Sequence, residues 1–70
     1  MNAGFEMRMT QEYTDLSNKI GKLEVTLANP PSTIAREQLS LMNEQLSAMR
    51  RYSEVLLQRI KLLSVEKGEY

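Results

Sequence analysis

Apolar residues recur along the first part of the chain at Phe5, Met9, Tyr13, Leu16, Ile20, Leu23 and Leu27. From Met9 onward the steps are 4, 3, 4, 3 and 4. That is heptad spacing, which places the residues on one face of an α-helix; a strand would alternate by two. The pattern stops at Asn29-Pro30-Pro31-Ser32-Thr33, which holds both prolines of the chain. Proline lacks a backbone donor and drives the preceding residue out of the α region. Ser32 or Thr33 is suited to cap a helix beyond the break. The spacing predicts a first helix over at least 10–28, capped by Thr10, or from near residue 3, capped by Asn2 despite Gly4. A loop at 29–32 and a second helix over about 33–65 follow, with Gly68 as its stop.

The second helix carries two apolar stripes. One is Ala35, Leu39, Met42, Leu46, Met49, Leu56, Ile60 and Leu63; the other is Leu41, Ala48, Val55 and Leu62, spaced by seven. At about 100° per residue the two together cover more than half of the helix circumference. A single antiparallel partner covers much less. A first helix that began at Thr10 would also be shorter, roughly 28 Å against roughly 50 Å. The end of the second helix, with Leu56, Leu57, Ile60, Leu62, Leu63 and Val65, would then lack an intrachain partner and form an exposed apolar patch. Chains below about 70–80 residues rarely bury enough apolar surface to stand alone. The expected fold is therefore all-α: an antiparallel two-helix hairpin with a long second helix, one domain over residues 1–70. It is expected to assemble with itself, as a homodimer or higher oligomer, into a helical bundle.

Composition narrows the chemistry. The 70 residues include neither cysteine nor histidine. Disulfides, thiolate or imidazole metal sites and the Ser-His and Cys-His nucleophile pairs are excluded, and no cofactor is expected. Nine basic residues balance nine acidic ones, so the basic surplus of a general nucleic-acid binder is missing and DNA is not an expected partner. No apolar run approaches the ~20 residues of a membrane helix, and the N-terminus lacks a signal-peptide pattern, so a cytoplasmic protein with no membrane partner is expected. Glu12 and Asp15 can share a helix face but have no nucleophile beside them, and there is no glycine-rich phosphate loop. Nothing in the pattern points to an enzyme.

Several positions can bind a ligand. Gln38, Gln45, Tyr52 and Arg59 recur every seven residues between the two apolar stripes. They read either as an interface rim with buried stems and wet tips, or as a binding surface in which Tyr52 stacks on a flat ring and Arg59 pairs with a phosphate. Arg50, Arg51, Arg59 and Lys61 against Glu54 leave residues 50–61 positive by three. This is either a solvated face with an Arg50–Glu54 pair or an anion site formed between chains. Lys19 and Lys22 can contribute to a similar site. Tyr13 lies on the apolar stripe, as a core residue or a stacking group. Thr10, Thr14, Ser17, Gly21 and Ala28 make a small-residue flank that suits close helix packing or a ligand groove, and Met42 and Met49 read as adaptable core filler.

The frame Lys19-Ile20-Gly21-Lys22-Leu23-Glu24, a short proline loop, then Leu41-Met42-Asn43-Glu44-Gln45 … Met49-Arg50-Arg51-Tyr52 … Leu56 … Arg59-Ile60 resembles small proteins of tailed phages and prophages. These are the helical-hairpin group that includes anti-CBASS proteins, with relatives among anti-Thoeris proteins. The resemblance covers roughly residues 12–63. It implies a short, all-helical, oligomeric sponge that binds a cyclic di- or trinucleotide, or an ADP-ribose-type cyclic signal, and keeps it from bacterial effectors without cleaving it. Its stacking aromatic and phosphate-binding cations fall on one of two sets: Tyr13 with Lys19 or Lys22, or Tyr52 with Arg51 and Arg59. A helical module that docks a host or phage protein through the Leu41–Leu62 stripe is the competing reading, and a small DNA-binding regulator is a third.

Overall fold

The computed structural model describes residues 3–66, which form two helices joined by a short loop. Helix α1 spans Ala3–Ala28 and helix α2 spans Arg36–Glu66. They fold back on each other as an antiparallel hairpin of 51 × 16 × 16 Å. The described residues contain no strand. Asn2 and Gly68, the expected outer cap and stop, lie outside them.

Helix α1 adopts the longer of the two expected forms. Gly4 does not interrupt it, and Thr10 sits mid-helix rather than at a cap. The helix ends where the prolines require. Asn29 still donates its N–H to the Val25 carbonyl at 3.3 Å, but Pro30 has no donor to extend the ladder. Pro31 then opens a turn, closed by the Ile34 N–H donating to the Pro31 carbonyl at 3.2 Å. This turn takes up Ser32 and Thr33, so neither caps α2. The loop runs to residue 35 instead of 32 and α2 begins three residues later than the spacing predicts. Ala35 occupies the cap position, its carbonyl accepting from Leu39 at 3.1 Å. Alanine offers no capping side chain; Glu37 in the first turn supplies negative charge at the positive helix end instead.

The two principal stripes meet to form the core. Met9, Leu16 and Leu56 are buried together, with Tyr13, Ile20, Met49, Ile60 and Leu63 packed around them. Leu46 is buried nearer the loop and Leu56 is wholly enclosed. Ala35, placed in the stripe by spacing, is exposed in the loop. Because α1 reaches back to residue 3, it covers the α2 segment around Leu56, Ile60 and Leu63 that a shorter first helix would leave bare. The length mismatch thus contributes little exposed apolar surface. The circumference mismatch persists: Leu41 and Leu62 are more than half exposed, and Ala48 and Val55 are exposed as well.

Candidate functional site

The hairpin has two edges where the flanks of α1 and α2 meet, and they differ in charge pairing. On one, Arg50 donates to the Glu24 carboxylate at 2.6 Å and ties the helices together. Glu54, expected to pair with Arg50 four residues back, is instead joined by Arg51 at 3.4 Å. Arg50 lies on the flank of α2 nearest α1, where Glu24 is within reach, and this leaves Glu54 to its outward-facing neighbour. Arg51 thus sits on the outer surface of α2, its side chain 73 % exposed.

The opposite edge is an open groove. Three hollows follow one another along it and share their linings. The first is bordered by Phe5, Arg8, Met9, Glu12 and Arg59. Arg8 and Glu12 also border the second, with Gln11, Asp15, Leu16, Lys19 and Tyr52. Lys19 continues into the third, with Lys22, Leu23, Thr26, Gln45 and Met49. The middle hollow encloses about 470 Å³, within the ~300–1,000 Å³ of small-molecule sites. Its floor is Leu16 and its α2 wall is Tyr52, which is 45 % exposed.

Heptad spacing positions these side chains. Gln45, Tyr52 and Arg59 are three of the four residues in the polar stripe of α2 and border successive hollows. On α1, Arg8, Asp15 and Lys22 are also seven apart, as are Glu12 and Lys19, so they share the matching flank. Four cations and two carboxylates border the groove, Arg8, Lys19, Lys22, Glu12 and Asp15 from α1 and Arg59 from α2, leaving it positive by two. Among the described residues none of these four cations forms an ion pair, while Arg50 and Arg51 do. Asp15 accepts a hydrogen bond from Gln11 at 3.0 Å.

The geometry regroups the two candidate sets. Lys19 and Lys22 of the first and Tyr52 and Arg59 of the second border one groove. Tyr13 is drawn into the core packing beside Met9 and Leu16, and Arg51 is held by Glu54. Arg8 was not singled out by sequence reasoning; its spacing of seven from Asp15 and fourteen from Lys22 was the available signal. The small-residue flank of Thr10, Thr14, Ser17 and Gly21 packs against no helix of its own chain: a Cβ on Gly21 would meet nothing within 4 Å. No cluster of potential metal ligands occurs among the described residues, and no helix is long and apolar enough to cross a membrane.

The Sequestin family model matches residues 3–62, a span holding all of α1, nearly all of α2 and the whole groove. The chain belongs to the Sequestin family. No curated protein and no solved structure matches it. Membership agrees with the resemblance to sponge-type sequestering hairpins carried by the Lys19–Glu24 and Leu41–Ile60 segments. It implies that a Sequestin holds a ligand rather than converts one. An exposed tyrosine ring among unpaired cations suits that task, because aromatic faces stack on flat rings and guanidinium and ammonium groups attract anions.

Proposed function

We propose that this Sequestin captures a cyclic nucleotide immune signal in the Tyr52 groove and keeps it from its effector without cleaving it. The observation that supports this most is the placement of Tyr52 among unpaired cations, with Arg8 and Lys19 in its own hollow and Arg59 in the adjoining one. A cyclic dinucleotide presents flat bases and two negative phosphates. Stacking on an aromatic contributes about 1–3 kcal/mol per base, and Arg–phosphate hydrogen bonds are charge-assisted and often bidentate. Two copies of each contact, one set from each of two chains, reach the about −8 kcal/mol of micromolar binding or better. A sink of this kind acts by occupancy, so the groove requires affinity and no acid–base machinery. In this reading the protein is encoded by a phage or prophage and works in the host cytoplasm as an oligomer.

Thermal denaturation against a panel of cyclic di- and trinucleotides and cyclic ADP-ribose isomers tests the proposal. A ligand at a hundred times its Kd adds about 2.7 kcal/mol, a rise of more than about 10 °C for a domain of this size. The captured molecule is expected to emerge chemically intact after heat denaturation of the complex. Unchanged melting across the whole panel rejects the reading. The exposed Leu41–Leu62 stripe supports a second reading, a module that docks a host or phage protein. A stoichiometric protein partner recovered with no nucleotide effect selects it.

A further inference from the structure

Two groups in the Tyr52 groove are not accounted for by phosphate binding. Glu12 and Asp15 put carboxylates on its α1 wall, and a negative side chain beside a phosphate repels it. Glu12 extends into the Arg59 hollow as well, whereas Asp15 borders the Tyr52 hollow alone. Asp15 is also the one that is held. Gln11, one turn earlier, donates from Nε2 to Asp15 Oδ1 at 3.0 Å. Among the described residues no cation pairs with Asp15, so Oδ2 keeps its full capacity to accept and Oδ1 keeps part of its own.

A carboxylate only accepts hydrogen bonds, so it distinguishes ligands by the donors they carry. Stacking on Tyr52 occupies the face of a base and leaves its edges free to hydrogen-bond. Guanine presents N1–H and an N2 amine hydrogen side by side on its Watson–Crick edge. That two-donor fork matches the two oxygens of a carboxylate much as a guanidinium does. The other bases do not match it. Adenine and cytosine set one amine donor beside a ring-nitrogen lone pair, and uracil has one N–H flanked by two carbonyl oxygens. Each of these turns a lone pair toward the negative charge, and opposing the wrong ligand builds selectivity as well as attracting the right one does.

We propose that Asp15, oriented by Gln11, reads the base stacked on Tyr52 and selects guanine, so that the molecules held are guanine-bearing cyclic nucleotides. The proposal rests on the nucleotide reading above and adds the choice of base to it. Tyr52 cannot make that choice, because every base has a π-face and stacking tolerates them all. The cations cannot make it either, since the phosphates are the same whatever base is attached. Asp15 is the group in the Tyr52 hollow that is both fixed by a neighbour and confined to that hollow. Its carboxylate weakens the attraction for phosphate somewhat and in exchange separates one base from the other three.

Cyclic di-GMP, cyclic di-IMP and cyclic di-AMP share one ring and two phosphates and differ only in the base, so calorimetric titration with each isolates the choice. The protein is expected to bind cyclic di-GMP at least about tenfold more tightly than cyclic di-AMP. Cyclic di-IMP, which keeps N1–H but lacks the 2-amino group, is expected to fall between them. Asp15→Asn keeps the side-chain shape and an oxygen for Gln11 at an exposed position. It is expected to weaken cyclic di-GMP about tenfold and to leave cyclic di-AMP unchanged or tighter, with the helical circular dichroism retained. Gln11→Ala is expected to narrow the guanine preference in the same direction by a smaller factor. Equal binding of the three rings, preference for an adenine-only ring or a cyclic ADP-ribose isomer, or a uniform gain for all three in Asp15→Asn overturns guanine selection and leaves sequestration intact. No binding of any cyclic nucleotide overturns both.

Discussion

The two edges of the hairpin are assembled from the same kinds of residue and end in opposite states. On the Arg50 edge the cation across the helix boundary is neutralised by Glu24, and on the outer face of α2 Arg51 is neutralised by Glu54. On the Tyr52 edge four cations flank the groove unpaired, and a tyrosine ring is left half in water. One edge satisfies itself within the chain. The other keeps charge and aromatic surface available for something the chain does not contain. The difference turns on where acidic residues fall in the heptad, since the charge of the whole sequence is balanced.

The largest expected effect abolishes both edges together. Among the described residues Leu56 is the one side chain at 0 % exposure, and Leu56→Ala is expected to cost about 2–5 kcal/mol, which a thermal melt followed by circular dichroism reads as a large loss of stability. Next is the contrast between the edges themselves. Tyr52→Ala is expected to weaken ligand binding by about 1–3 kcal/mol with melting of the free protein nearly unchanged, as calorimetric titration checks. If it lowers stability as much as Leu56→Ala does, Tyr52 is a packing residue and the distinction collapses. Gly21→Ala, on the flank shared with Glu24, replaces a poor helix former where a Cβ meets open space. It is expected to raise stability by up to about 1 kcal/mol; a drop would mean that another chain packs there. The smallest effect belongs to Arg50→Ala. Its bridge is half in water, so a change of no more than about 1 kcal/mol in stability, and none in ligand affinity, is expected.

Most of the fold was legible because both helices carry their periodicity in residues that end up facing each other: Met9, Leu16 and Leu56 sit where the spacing put them. The start of α2 was not, because Ser32 and Thr33 suit a turn as well as a cap, and Pro31 directly before them favoured the turn. The groove was half legible. The seven-residue recurrence of Gln45, Tyr52 and Arg59 marked its α2 wall. The α1 wall was hidden among ordinary surface charges, and Tyr13 and Tyr52 could be told apart only once the helix register showed which ring the core absorbs. The Arg50–Glu24 bridge spans 26 residues, and no local pattern encodes it.

The hairpin topology also shapes how the chain acquires its structure. Contacts between α1 and α2 begin beside the Pro30-Pro31 bend and extend outward turn by turn, so each new pairing closes only a small additional loop on those already made. Assembly can advance like a zip from the bend toward the open end. Helical proteins dominated by local contacts reach their native state in microseconds to milliseconds, so this small protein can be ready within moments of synthesis.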